Sequence, residues 1–364
     1  METKLVLACM TVSAPWHSLM PRIAGKATRV KKKMRLRASM RHLHGPRRQY
    51  AETDDVTVVT VVKDGRFFLD EFFAHYRSMG IRHFVFVDNG SSDGTIRRIQ
   101  QEPGTVVLQS ALPTAEFEPD FRRYAAERYC TGRWCLYADI DELFDFEGRE
   151  DTGLNCLIRY MNTNGFTALA AQMLDLFPAV TLREASDWPF SKVLEDYRYF
   201  DLEAIETVPY HEHSHPLTAG FSYFLQHNSV PGEHIQFLFG GIRSKIFGEQ
   251  CCLTKHPLVF LEPGVEAGVH PHCSARVRCA DFTALLRHYK FCNSPIERDR
   301  QSVHDGTIPH GADKLRLAVL DQQDDLTLHT PLAQEYSGIE DLYDKGFLVR
   351  SQKFSAFSAV YAEV

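Results

Sequence analysis

The sequence has no Cys-x-x-Cys pair, no apolar run near the ~20 residues that cross a bilayer, and none of the short glycine-rich signatures that cradle phosphates. Each absence excludes a class of protein. The nine cysteines are odd in number and scattered. Neither Cys130 with Cys135 nor the adjacent Cys251 and Cys252 has zinc-ligand spacing, so reduced thiols and a cytoplasmic setting are expected. No GxxxxGK[ST] occurs and no GxGxxG follows a strand, which argues against a P-loop kinase or an NAD enzyme. The early stretch "LVLACMTVSAPW" is short, has one flanking lysine and lacks a small-residue cleavage site; export is not expected. No internal repeat is found.

What is present is ordinary in bulk and uneven in distribution. Apolar residues make up 44% of the 364 and charged residues 24%, a balance that excludes a fibrous or wholly disordered chain. The net charge of −6 conceals a division. Residues 1–50 hold twelve Lys or Arg and one acid, Glu2, which leaves 29 basic against 46 acidic groups, a balance of −17, in the rest. "KATRVKKKMRLRASMRHLHGPRR" is a basic arm on an acidic body. Residues 1–52 read most simply as a disordered, solvated arm, and residues 22–48 suit peripheral contact with an anionic membrane at the inner face. Nucleic acid fits less well, because the acidic body repels phosphates and no RNP-like or zinc-finger pattern accompanies the arm.

From residue 54 a period emerges. Val56–Val62, "VTVVTVV", reads as a strand buried on both faces. Phe68, Leu69, Phe72, Phe73, Tyr76 and Met79 then recur at helical spacing, with Gly80 placed to end the helix. His83–Val87 is a second strand, Thr95–Gln100 a short helix and Thr105–Leu108 a third strand. Pro119 opens a helix that closes near Gly132. Trp134–Phe144 reads as a fourth strand. Strands alternating with helices predict an α/β fold with a mostly parallel central sheet flanked by helices. Beyond residue 150 the pattern weakens. Residues 166–174 suit strand or helix, and 184–236 read as irregular loops. A helix is expected through "DFTALLRHYKF", and a partly helical extension over 305–364. One main domain is expected over 53–304, with a nucleotide-binding half at 53–145 and an acceptor-side half at 146–304.

In an open parallel sheet, ligands bind beyond the carboxyl ends of the strands. Asp88 stands at such an end, followed by Asn89, Gly90, Ser91 and Ser92. These residues suit a plain turn with a helix cap. A carboxylate at Asp88 is also able to accept from a nucleobase imide or a ribose hydroxyl. The second strand end is "ADIDE". Asp139 and Asp141 are two apart, so an extended backbone points both carboxylates to one side, suiting Mg²⁺ or Mn²⁺ with substrate phosphates completing the shell. It is the sole Asp-x-Asp triplet of the chain. Arg243 and Lys245, alternating on an extended "GGIRSKIFG", are candidates to meet a diphosphate. Three histidines in "HEHSH" (His211, His213, His215) make a zinc site conceivable.

"VVKDGRFFLDEFFAHYRSMGIRHFVFVDNGSSDGT" followed by "WCLYADIDELF" resembles the bacterial glycosyltransferase family 2 type, in its family-92-like branch. The resemblance spans about residues 54–300 and includes "GGIRSKIFG", "KHPLVFL", "GVHPH" and "LLRHYKF". It implies a GT-A fold, a nucleotide-sugar donor such as a UDP-sugar, a Mn²⁺ or Mg²⁺ ion, inversion at the anomeric carbon, and a glycan or lipid acceptor. By that resemblance Asp88, with Asn89, matches the donor's base or ribose position. Asp139 and Asp141 match the metal pair, and Asp64 matches a donor-binding acid of the first strand. Relatives commonly read Asn-Glu where this chain has Asp64-Gly65. A late histidine is the implied further metal ligand, from His270, His272 and His288, with His270 and His288 the favoured candidates. The general base that inversion requires is left between Glu142 and Asp175. A metal-dependent nucleotidyltransferase is the alternative enzyme, and a nucleic-acid binder acting through the arm is the non-enzyme alternative.

Overall fold

The computed structural model describes residues 30–48, 51–308, 311–323 and 325–362. At its centre is a nine-stranded sheet. Strand β2 (Val56–Val62) is buried along almost its whole length, with Val58 and Val59 fully inaccessible. Such a run of β-branched residues suits a pleated surface covered on both faces. Helix α2 (Leu69–Ser78) lays Leu69, Phe72, Phe73 and Tyr76 on one face, each burying about 1.5–3 kcal/mol of apolar side chain. The chain turns out of the helix at Gly80, whose φ of +88° is open to a residue without Cβ.

Strand β3 (His83–Asp88) lies parallel to β2, with Val62 opposite Asp88. After helix α3 (Thr95–Gln100), strand β4 (Thr105–Gln109) continues outward with Gln109 opposite Asp88. Helix α4 (Thr114–Tyr129) crosses the opposite face, and strand β5 (Trp134–Tyr137) then returns to the other side of β2. The direction of winding therefore reverses between β2 and β5.

The remaining strands are β1 (Arg41–His44), β6 (Glu142–Asp145), β7 (Ala168–Asp175), β11 (Thr254–Phe260) and β14 (Cys279–His288). The sheet order is β1-β4-β3-β2-β5-β11-β7-β14-β6. It is α/β and mixed: β2, β3, β4, β5, β7 and β14 run one way, and β1, β6 and β11 run against them. Smaller two-stranded sheets cover one face, including the pairs β9 (Ile205–Pro209) with β10 (Gln236–Gly240) and β12 (Glu266–His270) with β13 (Cys273–Ala275).

Several expectations are corrected. Residues Trp134–Phe144 are not one strand. The chain breaks at 138–141, and β6 lies at the far edge of the sheet, so Asp139 and Asp141 sit on a turn rather than on extended backbone. The stretch read as a helix through "DFTALLRHYKF" is β14. Its Ala284, Leu285 and Leu286 have no strong strand preference, but the interior between β7 and β6 demands extended chain. Helix α4 begins at Thr114, with Pro113 extended just before it and Pro119 inside it. "GGIRSKIFG" holds a helix, α8 (Ile242–Phe247), between Gly241 and a left-handed Gly248. Ordered structure also reaches into the basic arm: residues 30–39 form helix α1, and β1 pairs with β4. Residues 1–29, 49 and 50 of the expected arm lie outside the described residues.

Candidate functional site

The carboxyl ends of β2, β3 and β5 share one edge, and three loops meet there. After β2 the chain passes through Asp64, held at φ +50°, a left-handed conformation unusual for a residue with Cβ. Four hydrogen bonds lock this loop to the turn after β3. The Asp64 amide donates to Ser91 Oγ (2.8 Å), and Asp64 Oδ1 accepts from the Ser92 amide (2.7 Å). The Gly65 amide donates to Thr95 Oγ1 (2.8 Å), and the Arg66 amide to Asp93 Oδ2 (2.9 Å). Asp64 itself is exposed.

Gly65 stands where a side chain has no room. A Cβ there would lie 2.5 Å from Val62 Cγ2 and 3.3 Å from Ile140 Cγ1. Only glycine lets the β2 loop approach the Asp139–Asp141 turn this closely. The two acidic loops are thus in direct contact, at the point where the winding reverses.

Asp88 and Asn89 turn inward. Asp88 is fully buried, and its carboxylate accepts from the Gly90 amide (3.0 Å), the Ser91 amide (3.2 Å) and Gln109 Nε2 (3.0 Å). Asn89 donates to the carbonyls of Ser110 (2.7 Å) and Leu112 (2.8 Å) and accepts from Thr114 Oγ1 (2.5 Å). Both side chains shape the turn that presents Ser91 and Ser92 to Asp64. The sequence suggested Asp88 for a base or ribose; here it is engaged within its own turn, and the exposed acids of these two loops are Asp64 and Asp93.

Asp139 is gripped by cations. Arg122 of α4 donates to Oδ1, and Lys255 of β11 donates to Oδ2 at 2.8 Å. Arg122 also bonds Glu118 (2.8 Å), and Lys255 also bonds Glu142. Burial raises the Asp139 pKa, but the Arg122 guanidinium and the Lys255 ammonium outweigh it and hold the carboxyl well below its ordinary value. For Glu142 burial wins, and its pKa is raised despite Lys255.

Asp141 heads a second chain of alternating charge. His288 of β14 lies with Nε2 3.5 Å from Asp141 Oδ2 and Nδ1 2.5 Å from Asp175 Oδ1. Asp175 accepts from Arg243 Nε (2.8 Å), whose Nη1 donates to Glu249 (3.3 Å). Glu249 accepts in turn from Arg316 (2.7 Å), which forks onto Asp299 at 2.9 and 2.7 Å. Burial would raise the Asp175 carboxyl, but Arg243 and His288 bring it down to about 2. Burial lowers the His288 pKa, and Asp141 and Asp175 more than reverse it, favouring imidazolium. The Lys290 ammonium, two residues on, makes no hydrogen bond or ion pair among the described residues, whereas the Lys290 carbonyl accepts from Arg298 (3.2 Å); burial with the nearby Arg316 pulls the Lys290 pKa down.

The expected metal ligands do not come together as a donor set. Among the described residues no group of three or more His, Cys, Asp or Glu has the arrangement of a metal site. Both Asp139 oxygens already face cations, so a divalent ion would have to stand where Arg122 and Lys255 do. Asp141 shares a partner with Asp175 and not with Asp139. His270 lies in the β12–β13 hairpin, where its Nδ1 accepts from the His272 amide (3.2 Å) and burial lowers its pKa to about 4. With Arg122, Tyr137 and Lys255 it lines a small cavity behind those cations. His215 of "HEHSH" caps a short helix through the Leu217 amide (3.3 Å).

The two candidate bases are both engaged, Glu142 with Lys255 and Asp175 with His288 and Arg243. Arg243 and Lys245 do not meet on one strand. Arg243 is buried in the network, whereas Lys245 bridges Asp201 (2.7 Å) and Glu203 (2.5 Å). Sequence reasoning missed Arg122 and Lys255. Lys255 had a signal, as the one lysine in the strand-like "TKHPLVF", a place lysine occupies only with a partner. Arg122 had the weaker signal of Glu118 four residues earlier on a helix.

No protein-family model matches this chain, and no curated protein does.

Proposed function

We propose that the protein is a glycosyltransferase of GT-A type that takes its sugar from a nucleoside diphosphate sugar, with a UDP-sugar as the first donor to try. One observation carries this reading: the Asp64-Gly65 loop packs directly on the Asp139–Asp141 turn where the winding reverses between β2 and β5. Reversal points of this kind form the crevice in which open α/β sheets bind nucleotides. An exposed acid of that crevice, Asp64, is suited to accept from ribose hydroxyls or the base. The buried charge network beneath it supports a functional site as well, since side chains held far from their ordinary pKa cluster where chemistry is done.

In this reading the donor lies across the ends of β2, β3 and β5, and the diphosphate points toward the Asp139–Asp141 turn. Negative charge builds on the diphosphate as the anomeric bond breaks. The chain's own cations at that end, Lys255, Arg122 and Lys290, are the groups available to offset it. A divalent ion is not assigned a step, because the donor set does not fit one as the side chains stand.

The test is a titration of the full chain with UDP, GDP, ADP and their sugars, with Mn²⁺ and with EDTA, followed by calorimetry and melting temperature. A true ligand raises the melting temperature by mass action. Saturable binding of one nucleotide that Asp64→Ala weakens, with release of the nucleoside diphosphate from the matching nucleotide sugar, is the expected result. Failure of every nucleotide in both conditions would overturn the reading.

A further inference from the structure

Helix α1 (residues 30–39) is seated at the corner of the molecule beside the candidate site. Its inner side chain, Leu36, is buried in the core that contains Phe117 of α4. Lys32 tethers it to Asp120 (2.7 Å) and to the Glu116 carbonyl (2.7 Å), and Lys32 and Arg35 lie 4.9 and 5.2 Å from the Phe117 ring centre. At its far end Ser39 Oγ is 2.9 Å from Ser110 Oγ, and Arg41 pairs with Gln109. The helix therefore ends at the carboxyl edge of β4, the edge that also carries Asp64 and Asp139.

The outer face of this helix is uncovered. Val30 and Met34, one turn apart, are 58% and 66% exposed, and Ala38 continues their line. At 100° per residue, Lys31 falls on one flank of that line and Lys33 and Arg37 on the other. All three cations are exposed, and none has an ion pair or hydrogen bond among the described residues. An apolar line flanked by cations is the arrangement of a helix that lies in a lipid headgroup region. A nucleic acid would engage the cations alone and leave Val30 and Met34 in water, and "VKKKMRLRAS" offers no aromatic ring on which a base would stack. The charge division favours this side of the molecule, because residues 30–48 hold eight Lys or Arg and no acid, while residues 51–364 carry −17.

We propose that α1 is a docking helix for an anionic lipid bilayer, and that docking sets the carboxyl edge of the sheet beside the membrane. This does not depend on the glycosyl-transfer reading. The test is co-sedimentation of the full chain with vesicles of mixed phosphatidylglycerol and phosphatidylcholine, against phosphatidylcholine alone. Binding is expected on the anionic vesicles only, and it should fade as salt rises from about 0.1 to about 1 M, where the screening length falls from about 10 to 3 Å. The triple variant Lys31→Glu, Lys33→Glu, Arg37→Glu should lower the partition coefficient about tenfold or more. Met34→Ser should lower it at unchanged charge. All four side chains are exposed, so melting temperatures should match the parent and separate lost docking from lost folding. Absence of binding to anionic vesicles, binding retained in the triple variant, or no effect of Met34→Ser overturns the proposal. Tight binding to RNA or DNA in place of vesicles would do so too.

Discussion

At the scale of single residues, the site is a balance of buried charges in which each group is kept by its neighbour. Lys255 is 8% exposed and serves both Asp139 and Glu142. Replacing it by Met leaves buried Glu142 without its cation and Asp139 with Arg122 alone. Breaking a buried pair in this way costs about 3–5 kcal/mol, so Lys255→Met should lower the urea midpoint sharply. Asp175 makes a pH prediction. Its carboxyl stands at about 2 in the fold against 3.8 as a model carboxyl. A pKa depressed by folding contributes stability that is complete above the unfolded value and fades as the pH falls from about 4 to about 2. The contribution is roughly 2 kcal/mol. Asp175→Asn should be less stable at neutral pH, since it uncouples His288 and Arg243, and its stability should vary less across that acid window. Urea unfolding at stepped pH measures both.

At the scale of elements, local pattern and local packing agree for the first half of the chain and part company in the second. The α2 face was legible because Phe72, Phe73 and Tyr76 repeat at helical spacing against a strand with no polar face. Phe72→Ala should cost about 3–5 kcal/mol, read from chemical denaturation. Strand β14 was not legible. Its residues suit a helix as well as a strand, and what makes it extended is the slot between β7 and β6, formed by residues more than a hundred positions away. The Asp139–Asp141 turn shows the same limit. Spacing alone placed both carboxylates on one side of a strand, yet the break between β5 and β6 sends Asp139 toward Arg122 and Lys255 and Asp141 toward His288. Gly65→Ala tests the contact between the acidic loops. Its new Cβ meets a stiff, buried Val62 at 2.5 Å, and overpacking of this kind costs about 1–3 kcal/mol. If nucleotide binds at the proposed donor site, the variant should also weaken that binding by more than the loss of stability explains, because it moves Asp64.

At the scale of the whole molecule, residues near both limits of the described chain fasten to the sheet and so belong to the same folded unit. Near the beginning, β1 adds an edge strand to β4. Near the end, helix α12 (Gln352–Ala362) seats Phe354 on Phe282, with ring centres 4.5 Å apart, and on Tyr160 at 5.0 Å. Removing residues 351–364 should therefore lower the melting temperature and destabilise β14, which carries Phe282 and His288. Phe354→Ala alone should cost about 3–5 kcal/mol.

The sequence by itself determined the parts that depend on neighbours a few positions apart. These are the strand–helix alternation of residues 56–109, the buried face of α2, the turn after β3, and the charge division between arm and body. Hydrogen bonds and side-chain periodicity are local there, so the order of residues dictates them. Only the tertiary structure decided which acid faces water, which is locked in a turn and which is neutralised. Asp64, Asp88 and Asp139 are the same residue type at the ends of three adjacent strands. What differs is the partner the fold brings to each: a serine amide, a run of turn amides, or an arginine and a lysine from distant elements. A carboxylate's role follows from those partners, because the desolvation of burial must be met by whatever charge or hydrogen bond lies within reach.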